Sequence, residues 1–170
     1  MLAIVFGIRV YVAKPFIVQG VSMYPTFDSW HYLIIDELTY NLIREPLRGE
    51  VIVFHYPGDP SRYFIKRVIG LPGETISIEG FVVHITKADG TKLTLTEPYI
   101  LPIKEKVDHF SITLSPGDYF VMGDNRAESA DSRFFGPLAR HFIVGRALVR
   151  LFPFTTIGYL PGTATYNENQ

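Results

Sequence analysis

The sequence predicts an all-β protein: an antiparallel-sheet core with a few short helices. Two observations carry this. Short apolar runs rich in Val, Ile, Tyr and Phe recur along the chain beyond residue 15, and clusters of Gly, Pro and Asp separate them. The runs are Tyr32–Asp36, Glu50–Phe54, Tyr63–Ile69, Thr75–Ile78, Phe81–Thr86, Lys92–Thr96, Tyr119–Met122 and Gly145–Phe152. Between them, Tyr56-Pro57-Gly58-Asp59-Pro60, Leu71-Pro72-Gly73-Glu74 and Ser115-Pro116-Gly117-Asp118 carry the residues that tight turns require. Helix is expected only over Thr39–Arg44 and Ala139–Ile143. The more polar stretch 77–115, with Lys87–Lys92 as a hairpin tip, reads as a β-ribbon excursion from a core made of 15–76 and 116–160. The tail, 161–170, has little to bury and is expected to fray.

Composition narrows the function classes. The chain has 170 residues, 47% hydrophobic and 19% charged, which suits one domain with a substantial core and excludes a disordered chain. Sixteen basic residues against seventeen acidic ones give a formal charge of -1, too little positive charge for a general nucleic-acid binder. The absence of cysteine excludes disulfides, a thiol nucleophile and thiolate metal sites. Five histidines, at 31, 55, 84, 109 and 141, show no metal-ligand spacing. No phosphate-binding glycine loop is present. Neither a metal nor a cofactor is expected.

The N-terminal apolar run, Met1–Ile8, is far shorter than the roughly 20 residues that span a bilayer. Arg9 and Lys14 follow it, the reverse of a secretory signal. Two readings stand: a buried first element, or residues 1–14 as the end of a membrane anchor.

Three segments carry candidate chemistry. In Tyr63-Phe64-Ile65-Lys66-Arg67-Val68-Ile69-Gly70, a two-residue period puts Phe64, Lys66 and Val68 on one face and Ile65, Arg67 and Ile69 on the other. Both faces are apolar, so an interior strand carries one cation on each side. Arg67 demands a carboxylate. Lys66 can instead lose its proton, because burial disfavours the ammonium, and a neutral lysine is a general base near neutral pH. Two snorkelling side chains at strand ends would fit the same residues. In Gln19-Gly20-Val21-Ser22-Met23-Tyr24-Pro25-Thr26, a serine stands between a glycine and a proline turn. Such a turn can expose the hydroxyl and aim the serine's own N–H at an oxyanion, or it can be an ordinary serine turn. The third segment, Gly123–Gly136 (GDNRAESADSRFFG), is densely polar between an apolar strand and Phe-Phe-Gly. Within it Asp131 could neutralise Arg67, and Ser129 could hold the Lys66 amine towards Ser22.

Together these segments resemble the bacterial type I signal peptidases, serine proteases with a Ser-Lys dyad, in a Gram-positive-like form. The matching boxes are Ser22–Thr26, Arg48–Phe54, Tyr63–Glu74 and Gly123–Gly136, and the resemblance covers most of residues 10–155. It implies an antiparallel catalytic core of the signal peptidase type, Ser22 as nucleophile and Lys66 as general base. Ser129 would orient Lys66, and Asp131 would pair with Arg67. The Ser22 backbone N–H would serve the oxyanion. The second donor is left open, because the position two residues earlier is Gly20. An extended peptide would lie between the strands of Ser22 and Lys66, with Phe16, Val18, Gly20, Met23, Phe27, Phe64 and Ile65 as candidates for lining its pockets. The implied partners are signal peptides of secreted preproteins and the membrane surface. The implied location is the cell membrane, with the catalytic portion on the outer, extracytoplasmic face.

Two alternatives carry less of the sequence. A self-cleaving repressor-type Ser-Lys protease would need a DNA-binding helix pair and an internal Ala-Gly cut site, and neither is present. A non-catalytic peptide-binding β module at the membrane surface would have no use for Ser22 paired with an unprotonated Lys66.

Overall fold

A computed structural model describes residues 13–80, 82–101 and 108–166. Residues 1–12, most of the expected anchor segment, and Phe81 lie outside the described residues, as do 102–107 and 167–170. Two antiparallel sheets make the fold. The larger contains β1 (Ala13–Ile17), β2 (Tyr32–Asp36), β3 (Val51–Tyr56), β4 (Asp59–Gly70), β9 (Asp118–Met122), β10 (Leu138–Ala139), β11 (Ile143–Phe152) and β12 (Gly158–Tyr159). Its order is β1-β2-β11-β3-β4-β9-β10, with β12 on β11. The smaller contains β5 (Thr75–Gly80), β6 (Val82–Thr86), β7 (Lys92–Thr94) and β8 (Asp108–Thr113), in the order β7-β6-β5-β8.

Among the described residues, helix is confined to short turns. A π-helical turn spans Thr39–Ile43, and single 3-10 turns span Arg140–Phe142 and Phe154–Thr156. One α-helical turn, α1 (Ser132–Phe135), begins on Asp131, whose side chain accepts from the Arg133 N–H. No helix among the described residues is long and apolar enough to cross a membrane.

Strand β4 is the organising element. It pairs with β3 from Tyr63 to Arg67 and with β9 from Arg67 to Gly70. Its residues Ile65–Gly70 are buried on both faces, as two apolar faces require. Phe64 and Val68 pack with Ile52, Phe54 and Val121 on one side. On the other, Ile65 joins Val18, Met23, Phe27, Val51 and Val53, while Ile69 joins Phe120, Met122 and the small sheet. The two cations on this strand therefore sit inside packed apolar layers, where each must find partners or lose its charge.

Residues 161–166 are in contact with the core: the Ala164 N–H donates to the Gly49 carbonyl at 3.1 Å, and Tyr166 packs on the core beneath the small sheet. Main-chain groups make most of this docking, and a composition-based reading cannot register them.

Candidate active site

Lys66 and Ser22 meet at the floor of a cleft. Lys66 Nζ donates to Ser22 Oγ at 2.8 Å and to the Ile65 carbonyl at 2.8 Å. Burial pushes the Lys66 ammonium down from 10.5 to about 8, against the opposing pull of the Asp131 and Asp124 carboxylates. In the neutral amine, the same 2.8 Å contact reverses direction, with the Ser22 hydroxyl donating to nitrogen.

The Ser22 turn is held from two sides. The Tyr24 N–H returns to the Val21 carbonyl at 3.0 Å, and the Gly20 N–H is anchored on Ser29 Oγ at 3.1 Å. Gly20 has a φ of +87°, a conformation a larger residue adopts only with strain. Across the cleft floor, the Asn125 N–H donates to the Ser22 carbonyl at 3.0 Å, and Asn125 Nδ2 reaches the Val21 carbonyl at 3.2 Å. Thr26 Oγ1 donates to Asp124 Oδ2 at 2.5 Å. Residues 124 and 125 thus clasp the turn that carries the serine.

Asp124, not Asp131, neutralises Arg67. Arg67 Nε and Nη2 fork onto its two carboxylate oxygens at 2.8 and 2.6 Å, with both side chains essentially inaccessible to water. Strand parity explains the choice. Arg67 faces Met122 across the β4–β9 ladder, and residue 124 follows two further on, on the same side. Asp131 is taken up locally instead. It accepts from Arg133 Nε at 2.9 Å and from the Gly123 N–H at 2.9 Å, bracing the loop from its start to the first turn of α1.

The expected contact between Ser129 and Lys66 is not made. Ser129 Oγ is buried without a hydrogen-bond partner and lies against Gly123, whose missing side chain makes room for it. Lys66 takes the Ile65 carbonyl instead.

The cleft measures about 490 Å³. Phe16, Ile17 and Gln19 to Val21 form one wall, Arg62 to Lys66 the other, and Glu128 and Ala130 close it. Phe16, Gly20, Phe64 and Ile65 therefore line the opening. Val18, Met23 and Phe27 do not: all three are buried in the core against which Phe16 packs. The walls are also strand edges. Among the described residues β1 pairs only with β2, and β4 before Arg67 pairs only with β3, so each presents an unpaired edge. The Phe16 and Tyr63 rings meet edge to face at 6.4 Å between these walls.

No cluster of His, Asp or Glu among the described residues could hold a metal ion. The polar side chains that meet at the cleft floor are the Lys66 amine and the Ser22 hydroxyl. Sequence reasoning passed over Asp124, Thr26 and Asn125 as tethers of the nucleophile turn. For Asp124 the signal was available, because it lies two residues past the strand that pairs with Arg67.

The chain is similar to known proteins over most of its length. The family model described as signal peptidase, peptidase S26, matches residues 1–152. A signal peptidase I of Bacillus caldolyticus is 34% identical over 170 residues, covering 92% of this chain and 88% of the relative. A signal peptidase I of Leptolyngbya laminosa is 38% identical over 169 residues, covering 94% of this chain and 79% of the relative. Among solved structures, a signal peptidase I from Enterococcus faecalis V583 superposes with a TM-score of 0.52 at 30% identity, over 61% of this chain and 97% of that one. By this match across nearly its whole length, the chain belongs to the signal peptidase family, peptidase S26.

Proposed function

We propose that this chain is a serine endopeptidase that removes N-terminal signal peptides from exported preproteins, through an acyl-enzyme on Ser22 with Lys66 as general base. The observation that carries the reading is the 2.8 Å contact between a buried lysine and a serine at the floor of a two-edged cleft.

The chemistry follows from the geometry. As Ser22 Oγ attacks the scissile carbonyl carbon, neutral Lys66 takes its proton, and the Ser22 N–H faces the oxygen that becomes negative. The ammonium then returns the proton to the leaving amine as the peptide C–N bond breaks, leaving an ester on Ser22. Water attacks that ester, Lys66 accepts the water's proton, and Ser22 leaves carrying a proton again. Burial supplies the neutral amine that both halves need.

Substrate binding uses the two free edges. An extended segment between β1 and β4 satisfies backbone groups on both sides, while its alternate side chains enter the cleft. Phe16, Gly20, Phe64 and Ile65 are the lining, and small residues at the first and third positions before the cut suit so shallow a space. Exposed Trp30, Phe134 and Phe154 add apolar surface. They support contact of the catalytic portion with a membrane surface, which a place at the outer face of the cell membrane requires, and sedimentation with phospholipid vesicles tests that contact: a chain that stays in the supernatant contradicts it.

The test of the function is cleavage of a preprotein-derived peptide by the purified protein. The expected result is one cut after a small residue at the signal–mature junction, lost when the first and third positions before it carry phenylalanine. Ser22→Ala protein should leave the peptide intact. Cutting at unrelated positions, or undiminished cutting by Ser22→Ala, overturns the reading.

A further inference from the structure

On the face of β4 opposite Lys66, the Arg67 guanidinium is enclosed by groups from four separate stretches of chain. Besides Asp124, it donates through Nη1 to the Gly49 carbonyl at 2.9 Å and to the Gly162 carbonyl. The Tyr99 ring covers its flat face, 3.7 Å from the guanidinium carbon. Gly162 and Tyr99 belong neither to the turn that bears Ser22 nor to β4, and the catalytic steps use neither.

The tail is built to reach this point. The Leu160 N–H donates to the Leu148 carbonyl at 2.7 Å, and the Thr163 N–H returns to the Leu160 carbonyl at 3.2 Å, which turns the chain at Pro161-Gly162. Gly162 has a φ of +78°, and a side-chain carbon there would lie 2.5 Å from Thr26 Cγ2 and 3.2 Å from the Phe27 ring. The tail thus packs directly on the Ser22 turn as well as on Arg67. Beyond the turn, the Tyr166 hydroxyl meets the Tyr99 hydroxyl at 2.5 Å, and Tyr99 donates to Glu97 at 2.5 Å. Glu97 pairs with Arg126, both side chains 3% exposed, and Arg126 Nε donates to the Gly123 carbonyl at 3.2 Å. A continuous polar chain therefore runs from the tail to the loop that clasps the nucleophile.

We propose that residues 160–166, with Tyr99 and Glu97, act as a strap that positions the Ser22–Lys66 pair. The strap fixes Arg67 and Asp124, Asp124 fixes Thr26, and Thr26 lies on the same tight turn as Ser22. These are positioning residues, since none touches the reacting atoms. The proposal rests on the dyad reading above. Its physical basis is the steep dependence of such reactions on geometry, where a displacement of about 1 Å costs about 10²-fold in rate. Tyr99 also caps the Arg67–Asp124 pair against water, so its loss loosens an ion pair that ties β4 to the carboxylate holding Thr26.

Peptide cleavage by the full chain carrying Tyr99→Leu, Tyr99→Phe or Gly162→Ala tests this, beside wild type and Ser22→Ala. Rates are taken per folded molecule, at a temperature well below each variant's melting point. Tyr99→Leu and Gly162→Ala are expected to lower kcat at least tenfold with KM within twofold, because the strap's contacts with Arg67, Gly49, Thr26 and Phe27 involve no residue that lines the cleft. Tyr99→Phe keeps the ring over Arg67 but breaks the hydroxyl link between Tyr166 and Glu97, and is expected to lower kcat by less than Tyr99→Leu does. A purely stabilising strap gives the opposite pattern, lower melting temperatures with kcat unchanged, and that result overturns the proposal. If Gly162→Ala does not fold, the Tyr99→Leu and Tyr99→Phe pair decides alone. Cleavage that survives in Ser22→Ala would instead bring down the dyad reading. An inactive Ser22→Ala beside fully active strap variants brings down only the strap.

Discussion

A buried lysine acting as a base leaves a signature in the pH profile, and its size follows from the site. An ordinary lysine with a pKa of 10.5 is about 0.03% neutral at pH 7, whereas one at about 8 is about 9% neutral. Burial of Lys66 thus raises the reactive population at pH 7 by about 300-fold. The expected kcat/KM is level above pH 9 and falls about tenfold per pH unit below 8, reaching about one hundredth of its plateau at pH 6. Initial rates on a fluorogenic preprotein peptide from pH 5 to 10 give the curve, with circular dichroism confirming that the protein stays folded throughout. The carboxylates add a second handle. Asp131 and Asp124 favour the ammonium, so Asp131→Asn is expected to move the acidic limb to lower pH. A profile flat from pH 5 to 8, or a limb centred near 10.5, would refute the claim that burial makes Lys66 a base.

Three further outcomes follow from the same interior. Because the folded pKa of Lys66 lies below its unfolded value, the folded state binds fewer protons; stability is lowest below pH 8 and rises between about 8 and 10.5. Lys66→Met is therefore expected to be more stable than wild type at pH 7, by up to about 3 kcal/mol, with the gap narrowing as pH rises through that window, measured by urea unfolding. Asp124→Ala leaves Arg67 buried and unpaired and is expected to cost about 3–5 kcal/mol, while the apolar double substitution Arg67→Met with Asp124→Leu costs far less. Gly123→Ala places a methyl group into Ser129 and the Ser22 carbonyl, and is expected to lower kcat more than it raises KM, read from peptide cleavage.

Much of the fold was legible because β4 and its neighbours carry unmixed signals. Tyr32–Asp36 is the strand its short apolar run marks, and the two cations of β4 fall on opposite faces as a two-residue period requires. Strand β8 was missed because His109 and Ser111 dilute its apolar residues, and it becomes a strand by pairing with β5 along its whole length. At the site, Ser22 and Lys66 stand 44 residues apart, and no local pattern connects them. The family boxes supplied that link. They did not supply the partners of Arg67, because its choice of Asp124 over Asp131 depends on the β4–β9 register and on Arg133 capturing Asp131 first. The docked tail was the least legible of all, since its central contact is the carbonyl of Gly162, a group every residue has.

The dyad itself is tested most directly by substituting its base. Peptide cleavage by Lys66→Ala, at pH 9 and with Ser22→Ala as the background, isolates the contribution of the amine at 2.8 Å from Ser22 Oγ. The expected result is a loss of about 10³-fold or more in kcat in a protein that binds the peptide and unfolds cooperatively as before. Turnover within tenfold of wild type would mean that something other than Lys66 takes the serine proton.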